Sequence, residues 1–263
     1  MALSVVTRSG IKSGQNVGTF NFNITLPSNG NALIIEISCW NAGNVTFSAG
    51  NITDNKSNTW ILAKTIFNNN GHGAAAIFYV EKVANSSGTY TITVASDKGS
   101  GNWFDCAVAE ISGIGAKLNL GNTASNTGQS PANPTVGPVS VTHTEEFVAA
   151  AMEIASGEGS IAVEVTSPAW TQDFEQLSFA NNSPGEGDSK IVSSTGNYSG
   201  NWTVGTPAQY AAVLAAFYAS NAGIPSNKSQ KGNKKGGGGA TNTFMPGGTQ
   251  VQTIGNAGIS ILS

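Results

Sequence analysis

Charged side chains make up only 10% of this 263-residue chain, against about 25% in an average soluble domain. A surface this poor in charge must be made of Asn, Ser, Thr and Gly. Those residues favour strands and turns over helices, because Ser and Asn compete with the helical backbone and Thr is stiff at χ1. There are only two cysteines, Cys39 and Cys106, so no scaffold of disulfides holds the fold. One disulfide between them is possible, but each lies in an apolar strand pattern, where a free thiol packs as a small hydrophobe, and two buried free thiols are expected. His72 and His143 are the only histidines and have no ligand spacing; a Ser-His-Asp triad would have to recruit one of them, and nothing in the sequence selects one. No run of 18 apolar residues occurs, excluding a transmembrane helix. The first residues, MALSVVTRSGIKSG, lack an apolar signal core and a cleavage pattern, so Met1 reads as the native start and no export signal is expected.

What the chain does contain is a repeat. Five strand-like segments, NALIIEISCW (31–40), SNTWILAKTIF (57–67), GAAAIFYVEKV (73–83), GTYTITV (88–94) and FDCAVAEISGI (104–114), return in the same order. The second set is EEFVAAAMEI (145–154), PAWTQDFEQ (168–176), GDSKIVSST (187–195), YSGNWTV (198–204) and QYAAVLAAFYA (209–219). At an offset of 110, Trp60 falls on Trp170, Ile92 on Trp202 and Val94 on Val204. Two long copies are too few for a solenoid, and the pattern predicts one all-β, two-sheet sandwich of two pseudo-repeated halves.

The sandwich is expected over 1–220, with halves 15–118 and 139–219. Residues 119–138, with three prolines and no strand period, read as an extended crossover between them. QNVGTFNFNITL (15–26) alternates as a half-buried strand, whereas 33–40 is apolar on both parities apart from Glu36 and Ser38 and is expected to lie centrally. Clusters such as SDKGSGN (96–102) and NNSPGEGD (181–188) read as turns.

After Ser220 the character changes. Residues 221–240 form a Lys/Gly-rich linker by composition. It carries Lys228, Lys231, Lys234 and Lys235, while residues 1–220 hold eight basic and fifteen acidic groups, a net of −7. The closing segment 241–263 contains Phe244, Met245, Val251, Ile254, Ile259, Ile261 and Leu262. Burying such side chains stabilises by roughly 1.5–3 kcal/mol each, so this extended C-terminal arm is expected to seek a groove or sheet edge on a neighbouring subunit. The lysines and these apolar residues are the candidate partner-binding set, with an acidic neighbouring body as one fitting surface for the lysines.

Catalytic patterns are weak. No Walker motif occurs, GEGSIA (157–162) lacks the strand-to-helix context of a dinucleotide loop, and no GxSxG elbow exists. Asp173 and Glu175 share one strand parity, as a glycosidase pair would need, but a solvated strand face explains them equally well. ITDNKSN (52–58) has an acidic spacing partly like a calcium loop, yet Lys56 takes a ligand position and the bidentate Glu is missing, so a turn before a strand is expected. Neither a cofactor nor a metal is expected. Among the five tryptophans, Trp103 beside the Gly-rich 99–102 turn is the candidate glycan contact. Nucleic acid is disfavoured, because the lysines are not interleaved with aromatics. No membrane partner is expected.

The run DNKSNTWILAKT, followed by AAAIFYVEKV, GTYTITV and AVAEISGI, resembles a β-sandwich module of bacterial and phage surface and virion proteins. Asp54, Asn58, Thr59, Trp60, Tyr79, Glu110, Ser112 and Gly113 carry the likeness, with Ala215, Ala216 and Phe217 in the second half. It spans 31–219 and brings no catalytic residues. The resemblance implies a jelly-roll-like domain for display or assembly. The resulting expectation is a non-enzymatic virion component, either a head decoration or cement subunit or a tail or fibre part. It would be assembled in the host cytoplasm and form a homo-oligomer or join other virion proteins; the alternative is a carbohydrate-binding or adhesive surface module that contacts a host surface glycan.

Overall fold

The computed structural model describes residues 2–220 except 26, 69, 71, 85–87, 130–132, 155–160, 164–168, 177–183 and 206–208, and beyond them 242–244, 250–253 and 259–262. The described elements are all strands. The chain separates into two compact units, Met1–Pro225 and Ser226–Ser263.

The first half of the larger unit supplies β1 (Ser4–Arg8), β2 (Lys12–Val17), β3 (Thr19–Ile24), β4 (Ala32–Trp40), β5 (Ile52–Asp54), β6 (Ile61–Asn68), β7 (Gly73–Val80), β8 (Tyr90–Ala95) and β9 (Asn102–Ser112). The second supplies β10 (Leu118–Gln129), β11 (Thr135–Val141), β12 (Glu146–Ile154), β13 (Ile161–Val163), β14 (Thr171–Gln176), β15 (Gly185–Val192), β16 (Gly196–Val204) and β17 (Gln209–Ala219). In the first half the order β1-β9-β4-β7-β6, with β2 also on β9, makes one sheet, and β3-β8-β5 makes the other. The second half repeats this as β10-β17-β12-β15-β14 and β11-β16-β13. Each half therefore has a strand order of the jelly-roll kind, and the five repeated segments correspond to β4, β6, β7, β8 and β9 and to β12, β14, β15, β16 and β17.

The all-β sandwich is thus doubled: each half is a two-sheet sandwich, and their larger sheets meet. This explains why β4, β7, β12 and β17 are apolar on both parities, since a strand covered on both faces has no polar side to show. On β4, Leu33, Ile35, Ile37 and Cys39 face β3 and β8, in a core with Phe22, Phe78, Ile92 and Phe104. Ile34 on the opposite parity joins Ile77, Tyr79, Phe147, Val213 and Phe217 between the halves. Val148, Ala150, Met152 and Leu214 then pack with Val136, Trp170 and Trp202 in the outer core of the second half. Trp60 and Trp170, equivalent by sequence, are both buried. Cys39 and Cys106 are buried free thiols in the first core.

Two expectations are corrected. The described residues of 119–138 are not an extended crossover without strand pairing, because β10 pairs along the length of β17 and β11 pairs β16. The Asn, Thr, Ser and Gly of β10 gave no apolar alternation because this is an edge strand that is largely half-exposed. NNSPGEGD also does not end as a turn at 188, since Gly185–Val192 is β15. Its glycines are there for space: a Cβ at Gly185 would lie 2.0 Å from Ser38 Oγ, and one at Gly187 would lie 2.6 Å from Glu36 Oε2.

The smaller unit contains β18 (Asn242–Phe244), β19 (Gln250–Thr253) and β20 (Ile259–Leu262), an antiparallel meander in the order β18-β19-β20. Its register aligns Thr243 with Val251 and Val251 with Ile261, and Thr253 with Ile259.

Candidate functional site: an acidic seam between the halves

The larger sheets meet through a surface that is apolar at one part and polar at another. In the apolar part, Tyr79 and Phe217 meet edge to face, 5.2 Å between ring centroids. In the polar part, alternation along β4 carries Glu36 and Ser38 to the same side as Ile34, so both point at the second half. β15 receives them with Gly187 and Gly185. The arrangement is reciprocal, for Glu153 of β12 lies against Gly73 of β7, where a Cβ would overlap its carboxylate. Sheet geometry thus places carboxyl groups where glycines leave room.

Asp173 completes the seam. The register of β14 on β15 shifts between Gln172 and Phe174, and Asp173 sits in this irregularity. Its carboxylate is paired with the guanidinium of Arg8 from β1, which also donates to Ser189 Oγ at 3.0 Å. Glu36 is 3% exposed, and neither of its carboxyl oxygens has a hydrogen-bond donor; Asp173 Oδ2 also has none. Asp173 acts on Glu36 both as a like charge and as a hydrogen-bond partner, a bond that exists only when one of the two carries a proton. Burial, and then the charges of Asp173 and Asp188, hold the Glu36 carboxyl well above its ordinary range, with Arg8 opposing. Burial raises Asp173 as well, against the Arg8 charge.

A second acidic pair lies on the opposite face of β15. Asp188 accepts from Trp202 Nε1 at 2.8 Å and Glu186 from Gln172 Nε2 at 3.0 Å. Burial, with the Glu186 charge next, lifts Asp188 well above normal, and burial pushes Glu186 up to about 7. Lys190 Nζ lies 4.2 Å from the Trp170 ring centroid, a cation–π contact on the same face. On β9, Asp105 accepts from Ser13 Oγ at 2.6 Å and is pushed up to about 7 by burial. These groups can store protons, but their burial keeps a substrate from reaching them unless the sheets part. Among the described residues no group of three or more His, Cys, Asp or Glu is arranged to hold a metal ion.

The sequence-predicted residues are scattered. Asp173 and Glu175 do not share a solvated face: Asp173 is buried under the first half, and Glu175 is half-buried. Asp54 acts as a structural hub. Its carboxylate accepts from the amides of Lys56 and Asn58, from Trp60 Nε1 at 2.8 Å and from Tyr90 Oη at 2.8 Å. Those donors account for the D-x-x-x-N-T-W run as a turn locked onto β8. His72 sits in a positive-φ loop position, its Nδ1 2.6 Å from Asn44 Oδ1. His143 closes the turn before β12 against Glu146 and stacks on Tyr218. Trp103 is directly opposite Trp40 in the β4–β9 register; both are half-buried, and Trp40 meets His72 edge-on at 6.4 Å.

No family model, curated protein or solved structure matches this chain.

Of the arm residues, Phe244 lies in β18, Val251 in β19, and Ile259, Ile261 and Leu262 in β20. Lys228, Lys231, Lys234, Lys235, Met245 and Ile254 lie outside the described residues. Arg8, Glu36 and Glu153 of the seam, and Glu186 and Asp188 on the far face of β15, were not singled out as a site in the sequence. One signal was present, namely Glu36 and Ser38 interrupting a strand otherwise apolar on both parities.

Proposed function

We propose that this protein is a non-enzymatic structural subunit of a virus particle of the phage type, joined to neighbouring subunits through its C-terminal arm. The observation that carries the reading is the small unit Ser226–Ser263, whose three paired strands have only three or four residues each. A sheet of this size buries too little surface to be stable by itself in water. The segment is rich in apolar residues, with Phe244, Val251, Ile259, Ile261 and Leu262 in its strands, which suits docking against a sheet edge or groove of a neighbouring copy or another particle protein. The preceding lysines complement an acidic body of net charge −7 over residues 1–220. The larger unit supports the same reading, because its buried carboxyls serve a junction and its motif residues serve turns. The test is to express the chain without residues 224–263 and measure incorporation into particles by quantitative mass spectrometry. The shortened protein should fold and be excluded, whereas normal incorporation refutes the arm's role.

A second reading is favoured by one observation, the side-by-side Trp103 and Trp40 with His72 at the end of a sheet. Aromatic faces of this kind stack on sugar rings, which would make the body an adhesive module. A glycan array with wild type and Trp103→Ala decides it: loss of a specific sugar signal supports adhesion, and a blank array for both removes it.

A further inference from the structure

The seam holds two carboxyl groups and one guanidinium. Glu36 comes from β4 in the first half, Asp173 from β14 in the second, and Arg8 from β1 in the first. Arg8 is paired with Asp173, so a fully ionised trio leaves one negative charge buried without a counter-ion. Both Glu36 oxygens lack a donor, and the group is pinned over Gly187, where even a methyl group would meet it. A buried carboxylate without a donor is strongly disfavoured, and the ordinary remedy is to keep its proton.

We propose that the junction between the two jelly-roll halves is a proton-dependent clamp, in which Glu36 and Asp173 share one proton beside Arg8 and loss of that proton to solvent loosens the halves. With the proton in place, the two carboxyls make a hydrogen bond across the seam and Arg8 balances the single remaining charge. Without it, two carboxylates from opposite halves repel at close range. The other charged groups near Glu36 do not relieve this. Asp188, on the far face of β15, adds like charge through the strand, Ile77 of β7 and Ala107 of β9 flank Glu36 in register, and Asp105 and Glu153 lie on the same seam. The inference stands independently of the particle assignment and of the arm.

The sign follows from linkage. The folded state retains protons that the unfolded chain releases near the ordinary carboxyl range, so stability is greatest in mild acid and falls as pH rises from about 4.5 toward the folded-state values. Asp105 and Glu186, raised to about 7, add slopes of their own; the readout is therefore the difference between variants. Scanning calorimetry at pH 5, 7 and 8.5 on the full chain tests it. The wild-type midpoint should fall by about 4 °C or more across this range. Glu36→Gln and Asp173→Asn should each flatten that fall and melt above wild type at pH 8.5, because either leaves one carboxylate for Arg8. Arg8→Gln should steepen the fall, and Asp105→Asn should keep the share that Glu36→Gln removes. A wild-type slope retained in both amide variants, or an unchanged slope in Arg8→Gln should the amide variants not fold, overturns the clamp.

Discussion

Asp54 shows most clearly how a single residue organises this fold. Its carboxylate gathers donors from the turn that follows it, from the indole of Trp60 and from the phenol of Tyr90, tying β5, β6 and β8 together. Burial and the Asp54 contact raise the Tyr90 phenol far above its usual range, which keeps it a donor. Replacing Asp54 by Ala leaves Trp60 Nε1 and the Tyr90 hydroxyl without an acceptor. A loss of about 2–4 kcal/mol is expected in urea unfolding, against about 1 kcal/mol for Tyr90→Phe, which removes one donor to Asp54 and one of the two acceptors of Asn58 Nδ2. Equal losses for the two would show that Asp54 is not the hub. Gly113 has a comparable local reason: at φ +77° its position lies so close to Ala2 O that a Cβ would be 2.0 Å away. The motif residues quoted for the surface-module resemblance thus have packing and turn duties in this chain.

At the scale of elements, β15 is the strand whose sequence was hardest to read. GEGD looks like turn material, since glycine weakens isolated strands and supplies positive φ. Here the glycines admit Ser38, Glu36 and the ring of Phe174 from neighbouring elements. Gly187→Ala should therefore cost about 1–3 kcal/mol in denaturant unfolding through overpacking, the reverse of the gain normally expected from removing glycine flexibility. A neutral or stabilising result would mean the seam is looser than described. By contrast, β4, β7, β9, β12 and β17 were legible because long apolar runs bounded by Asn, Gly and Ser leave few alternatives. β10 was not, because an edge strand needs neither continuous burial nor strict alternation. The acidic seam was not legible either, since nothing local tells whether Glu36 faces water or the other half.

For the whole molecule, the repeat indicated two halves, but only the double coverage of strands apolar on both parities shows that two sandwiches stand back to back. That arrangement buries carboxyls at the joint, and the molecule's stability should carry their signature. Asp105 and Glu186 are held near 7 by burial, so the folded state keeps protons that the unfolded chain has lost. Stability must decline between about pH 4 and 7 on their account alone, and denaturant midpoints over that interval should shift in that direction, with Asp105→Asn removing part of the decline. A midpoint that rises steadily from pH 4 to 7 contradicts this burial. In the proposed function the arm, and not the double sandwich, makes the contacts between subunits. Sedimentation of the full chain beside a chain ending at residue 223, with circular dichroism to verify the fold, tests it most directly. Concentration-dependent assemblies from the full chain and a folded monomer from the shortened one are predicted; identical sedimentation of the two would contradict the account.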